Sequence, residues 1–358
     1  MCQYSARDGH ANNWHLVHLG RYALGGAGIV FAEATAVEAR GRISHFDLGL
    51  YEESHIAPLV AVTKFLRENG AVPAIQLSHA GRKASGHVAW EGAGPLAPED
   101  AVRGEAPWPT VAPSDIAADG GWPSPAALSK GEILTLIDCW KQAARRALAA
   151  GFEIVEIHGG HGYLVHEFLS PVSNLRTDQY GGDIEGRMRF ALELVEAVRS
   201  VWPQDKPLFF RVSALDGSGG GWTLDDTITL ARRLSQVGVD VIDCSSGGMT
   251  GPTPTMVIPR DYGFQVPYAE RIRRDAGILT CAVGLIIAPE LAESIVRDER
   301  ADLVAIAREA LNDPNWPLHA RAKLQSGNYA DWPIPFRNWL ERRATTINTL
   351  EAARHSKL

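Results

Sequence analysis

The sequence predicts an α/β chain folded as a (β/α)8 barrel, on three observations. Short apolar runs alternate strictly with amphipathic helical segments along most of the 358 residues. The short runs are apolar almost throughout, which suits parallel strands covered on both faces. Polar and titratable residues gather just after those runs, where such a barrel carries its chemistry. No complete GxGxxG follows a strand, so a doubly wound dinucleotide-binding sheet has no support.

Residues 14–24 have helical spacing, with Leu16, Leu19 and Tyr22 along one side, and Gly25-Gly26-Ala27-Gly28 ends the helix. Residues 29–37 form an apolar run with Glu33 inside it, a strand. Ser54 is the expected cap of a helix over 55–68, which Gly70 closes. A strand follows over 73–77. Residues 82–128 change character, being rich in Gly, Pro and Ala, with Trp90, Trp108 and Trp122. A loop of that length inside a domain is usually functional, so it is expected to be a lid over the barrel mouth; a solvated insertion is the alternative.

Ser129 caps a helix running to 150, and the strand at 154–157 follows. Asp183 caps a helix over 184–201, and strands at 207–213 and 239–244 flank a helix over 224–237. The rest reads as helix 267–275, strand 278–283, helix 289–297, strand 302–306 and helix 314–324. Seven strands are countable.

The bulk composition narrows the function. There are 35 basic and 42 acidic residues, a net charge of −7, which argues against a nucleic-acid or anionic-membrane partner. No apolar run reaches the length of a membrane span, and the first residues lack the apolar core of a signal peptide. Cys2, Cys139, Cys244 and Cys281 are scattered, making neither a zinc pattern nor a disulfide framework. A reduced, cytoplasmic protein is expected.

The richest stretch is residues 153–182, EIVEIHGGHGYLVHEFLSPVSNLRTDQYGG. His158 falls at a strand end, and Gly159, Gly160 and Gly162 give the backbone room to turn. His161 and Tyr163 ride on that turn, so three titratable rings can converge. A polar loop with satisfied histidines is the bland alternative. His158 and His161, with His166 or Glu167, also have the spacing of a metal pair, but no further ligand set accompanies them and no metal is expected. Other strand ends carry Ala34, Gln76, Arg211 and the run 245–247. Gly284 and Arg308 follow the last two strands, where barrels commonly hold phosphate on backbone N–H groups and a helix N-terminus.

The motif HxxHGY followed by HEFLSPxSNxRTDxYGG resembles the Old Yellow Enzyme family of flavin-dependent ene-reductases. Supporting matches are MCQYS at 1–5, EATAV at 33–37, GRIS at 41–44, QLSHAGRKA at 76–84, FRVSA at 210–214, DCSSGG at 243–248 and DLVAIAREALNDP at 302–314. The flavour is that of the bacterial branch holding the thermophilic-like and xenobiotic reductases. The resemblance implies bound FMN with its phosphate on Gly284 and Arg308. It places Gln76 and Arg211 on the pyrimidine side, the Ala34 N–H against the ring, and Cys2 beside it. NADPH or NADH would be the reductant, with Arg82 and Lys83, or Arg40 and Arg42, as exposed cations for a 2′-phosphate. His158 and His161 would hold the carbonyl oxygen of an activated alkene such as an enone, Tyr163 would supply the proton, and Tyr4 would form the facing wall.

The resemblance also divides the chain into a TIM barrel over 1–325, with 82–128 inserted, and a tail over 326–358. Trp339 or Arg337 of that tail is expected to reach a partner subunit in a homodimer or larger assembly; packing against the barrel floor is the alternative. In the family MCQYS ends the first strand. That strand has no counterpart ahead of Met1, so the barrel is expected to be N-terminally shortened, with weaker FMN binding and lower stability. Two other readings stay open: an FMN-poor, non-catalytic relative, and a phosphate-binding aldolase or isomerase on the same barrel. No Cys follows Cys281, which disfavours the iron–sulfur members of the family.

Overall fold

Short apolar runs that cannot hydrogen-bond alone pair side by side, and the amphipathic helices between them cover the result. The computed structural model describes residues 1–250, 258, 260–325 and 329–355. Its strands are β1 (Ile29–Ala36), β2 (Val72–Ser78), β3 (Val111–Ala112), β4 (Ala126–Ala127), β5 (Ile154–Gly159), β6 (Leu208–Ser213), β7 (Val241–Ser245), β8 (Leu279–Ala282) and β9 (Leu303–Val304). One seven-stranded parallel sheet runs β1-β2-β5-β6-β7-β8-β9. These are the seven strands counted in the sequence.

The sheet curls, and its two edge strands face each other across a cavity of about 470 Å³ lined by Ile29 to Ala34 on one side and Leu303 to Ala307 on the other. Among the described residues β1 and β9 do not pair.

The helices are α1 (Asn13–Leu24), α2 (Ile56–Glu68), α3 (Lys130–Ala149), α4 (Leu164–Leu169), α5 (Ile184–Arg199), α6 (Leu224–Gln236), α7 (Val266–Ala276), α8 (Pro289–Arg297), α9 (Arg308–Asn312), α10 (Trp316–Leu324) and α11 (Ile334–His355). Their starts follow local chemistry. Ser129 accepts from the Glu132 N–H and Glu132 reaches back, a reciprocal cap on α3. Asp183 accepts from Gly186 at the start of α5, at 2.8 Å. Ser54 does not cap α2: a short 3-10 turn over Glu53–His55 leads straight into it, so backbone carbonyls take the first N–H groups. The buried faces of α3 and α5 bring Trp140, Ala143, Phe190 and Leu194 into the core. No helix among the described residues is long and apolar enough to cross a membrane.

The segment 82–128 is not featureless. It contains the β3–β4 pair and is tied to the body from several directions. Arg82, with no solvent exposure, donates to the carbonyls of Ile116 (3.3 Å), Ala117 (3.2 Å) and Thr250. Trp108 Nε1 donates to the Arg40 carbonyl at 2.9 Å, and Arg176 donates to Pro113 O at 3.0 Å. Replacing Arg82 by Met would leave those carbonyls unpaired in the interior. Arg82→Met is expected to cost roughly 3 kcal/mol in urea unfolding and to speed proteolysis within 82–128; an unchanged midpoint and digestion pattern would contradict this anchoring role.

The boundary expected between 325 and 326 touches residues 326–328, outside the described residues. Beyond it, α11 carries Trp339 at 66% exposure, with the Arg342 guanidinium 5.2 Å from its ring centroid. Arg337 donates to Ala330 O at 3.1 Å and faces Glu341 at 3.4 Å.

Candidate active site

β5 delivers His158 to the end of the sheet, and the chain turns over 159–163 before α4 begins. The turn cannot be made with larger residues. A Cβ on Gly162, whose φ is +72°, would stand 2.4 Å from the Gly248 carbonyl oxygen. His161 adopts φ +60°, unusual for a residue with a side chain. Neighbours hold it there: its N–H donates to Ser213 Oγ at 2.9 Å, and Lys83 Nζ donates to its carbonyl at 3.1 Å and also to Gly248 O.

The three rings meet as expected. His158 Nε2 lies 3.3 Å from His161 Nδ1, and the His158 and Tyr163 ring centroids are 5.3 Å apart. His161 Nε2 lies 2.7 Å from Ser245 Oγ. Burial, then the charge of Arg211, holds the His161 imidazole well below its ordinary range. Burial does the same to His158, with His161 and Arg211 adding to it. Both are therefore neutral at neutral pH. Burial pushes the Tyr163 phenol well above its usual range, so it keeps its proton.

The N-terminal segment is pinned beside these rings. The Gln3 N–H donates to Glu33 Oε2 at 2.5 Å, and Asn12 Nδ2 donates to Ser5 O at 2.6 Å. Tyr4 sits between them at φ +49°, edge-on to Trp90 at 5.7 Å. Cys2 and Tyr4 both raise Tyr163 electrostatically, so the segment shares its surroundings. The Cys2 thiol is itself pushed well up, by burial and then by Asp47 and Glu33.

A second group lines the cavity between the sheet edges. Ala34, Gln76 and Arg211 all face it, together with Glu156 and Asp243. Gln76 Nε2 donates to Glu156 Oε1 at 2.7 Å, which leaves the Gln76 carbonyl oxygen as an acceptor. Arg211 Nε stands 3.4 Å from Asp243 Oδ2 and has no hydrogen-bond partner among the described residues. Val283 and Ala307, next to Gly284 and Arg308, line the same cavity. Gly284 has φ +119°, and a Cβ there would approach Gln265 and Phe264 to 3.0 Å. Arg308 opens α9, exposed and in no ion pair among the described residues. An apolar-walled cleft, a buried guanidinium held by one carboxylate, an open amide carbonyl and an exposed arginine beside the lining fit a flat heterocycle bearing a phosphate.

One sequence expectation fails. Arg82 and Lys83 are not exposed cations for a dinucleotide: Arg82 is engaged on the carbonyls named above, and Lys83 on His161 and Gly248. Burial lowers Lys83 to about 8. Arg40 pairs with Glu38 at 2.5 Å, and Arg42 packs over Trp108. His166 Nδ1 accepts from Gly162 N at 2.9 Å and Glu167 accepts from Arg82 N at 3.0 Å. Ser213, Glu156 and Asp243 received no site role from the sequence, and Lys83 a different one, because their partners lie far along the chain.

A model of the NADH:flavin oxidoreductase / NADH oxidase family matches residues 1–327. The chain is 45% identical over 326 residues to NADPH dehydrogenase of Geobacillus sp. (strain WCH70), which covers 90% of this chain and 88% of that protein. The 2-naphthoyl-CoA reductase complex with 2-naphthoyl-CoA superposes with a TM-score of 0.79 at 24% identity, over 90% of this chain. The chain spans 49% of that one, and the likeness shows the fold alone. Morphinone reductase in complex with tetrahydroNAD gives a TM-score of 0.73 at 25% identity, over 90% of this chain and 85% of that one. A cleft shaped for a flavin and a family match over nearly the whole barrel point the same way: the chain belongs to the Old Yellow Enzyme family and is an NADPH-dependent flavin oxidoreductase that uses FMN.

Proposed function

We propose that the chain is an ene-reductase, reducing the C=C bond of a small α,β-unsaturated carbonyl compound or related activated alkene with NADPH. One observation carries this: two neutral imidazoles and a protonated phenol converge at the end of β5. A carbonyl oxygen accepting from the N–H groups of the His158 and His161 rings is polarised, which makes the β-carbon electrophilic. Ser245 Oγ, 2.7 Å from His161 Nε2, orients that ring. Tyr163 Oη–H then protonates the α-carbon. FMN, when bound, would supply the hydride. Arg211, Gln76 and the Ala34 N–H would hold its pyrimidine side and Gly284 and Arg308 its phosphate, and Cys2 would lie near it. Tyr4 forms the wall opposite Tyr163.

In this reading the curled sheet is a (β/α)8 barrel in which no strand among the described residues fills the position between β9 and β1. The segment 82–128 is its lid. Residues 326–358 form a tail that contacts a partner subunit in a homodimer through Arg337 or Trp339, and the protein works in the cytoplasm. The functional test is anaerobic. NADPH should bleach the flavin band near ~450 nm, and a cyclic enone should restore it. A saturated ketone should not. A bleached band that an excess of enone leaves unchanged would overturn the alkene assignment.

A further inference from the structure

Glu156, Arg211 and Asp243 stand on three adjacent strands inside the curled sheet. Arg211 pairs in register with Asp243, Gln76 with Glu156, and His158 with Arg211. All four polar side chains below the rings line the cavity.

The hydrogen-bond accounting leaves a specific gap. Glu156 Oε1 accepts from Gln76, and Asp243 Oδ2 faces Arg211. Glu156 Oε2 and Asp243 Oδ1 have no donor among the described residues, yet the two carboxyl groups stand within hydrogen-bonding reach of each other. Two ionised carboxylates cannot bond to one another, and with one guanidinium they would leave a net charge of about −1 in a buried site. A single proton between them satisfies both oxygens and makes the charge sum zero. Burial raises Asp243 as well, but Arg211 at 3.4 Å pulls it back down, so Glu156, which forms no ion pair with that guanidinium, carries the proton.

We propose that Glu156 is a positioning residue kept as a neutral acid whose O–H donates to Asp243, so that Arg211 is shared with one carboxylate only and stays turned to the flavin. The inference rests on the reading of Arg211 as a pyrimidine contact. Electrostatics agree with the geometry. Burial, then Asp243, pushes Glu156 up to about 8, whereas Arg211 and Gln76 pull the other way. The other groups facing the pair are Cys281 on β8 and Cys244 on β7, both pushed well up by burial and so neutral, and His158 on β5, neutral as described. Glu33 of β1 lines the same cavity. The sign follows: below about 8 Glu156 is neutral, and above it a second carboxylate competes for Arg211 and draws it from the cavity.

Two measurements test this. Infrared titration of the FMN-free protein should show a protonated carboxyl stretch that disappears near pH 8 and is missing from Glu156→Gln. The FMN dissociation constant of the wild type should then rise roughly tenfold between pH 6.5 and 9, the effect of one unit of linked titration. Glu156→Gln, which keeps a neutral donor toward Asp243, should hold its own affinity flat over that range. Absence of the infrared band, or a wild-type fall that Glu156→Gln reproduces, overturns the shared proton and leaves the proposed function standing. The band present with a flat wild-type profile overturns instead the contact between Arg211 and the flavin, and the positioning role with it.

Discussion

Tyr163→Phe should slow alkene reduction by about 10²–10⁴-fold while NADPH still reduces the flavin at close to the native rate. The asymmetry follows from what the hydroxyl does. Phe keeps the ring that packs 5.3 Å from His158 and under Lys83 Nζ at 6.0 Å, so the pocket keeps its shape. Only the proton donor is lost. Accepting hydride from a nicotinamide needs no acid at that position, whereas completing the α-carbon does. Separate rapid-mixing measurements of the two half-reactions distinguish them. Equal loss in both would mean that Tyr163 shapes the pocket and donates nothing.

His158→Ala should lower enone reduction by about 10²–10³-fold, the usual cost of removing one preorganised donor to a developing oxyanion. His158 is the cleaner of the two imidazoles to remove. Its Nδ1 has no partner among the described residues, so the substitution breaks only the contact of its Nε2 with His161. His161 is different, because it holds φ +60° and its ring contacts Ser245. Asn tolerates that backbone better than Ala, so His161→Asn is the appropriate companion. An Ala at 158 that changes neither substrate binding nor turnover would remove the paired-donor arrangement.

The strands of the parallel sheet were legible because apolar runs bounded by glycine leave few alternatives: the seven counted are the seven of that sheet, while the short β3–β4 pair inside 82–128 was not foreseen. The convergence of His158, His161 and Tyr163 was legible because all three lie within six residues on one glycine-rich turn. What escaped the sequence was set by distance along the chain. Ser245 lies 84 residues from His161, and Lys83 lies 78 residues before it. Nothing local signals either contact. Arg82 and Lys83 read as exposed cations because charge implies solvent. The structure buries them by offering carbonyls from two distant loops. Ser54 failed as a cap for a local reason: the preceding 3-10 turn had already satisfied the N–H groups it would have served.

The central claim is that the rings at the end of β5 bind an oxyanion against the flavin. Its most direct test is titration of the FMN-loaded protein with a para-substituted phenol, whose oxygen mimics that of the enolate. The wild type should develop a long-wavelength charge-transfer band with saturable binding, and His158→Ala should lose both. A wild type that gives no such band, or a His158→Ala variant that keeps the native band and affinity, would contradict the account.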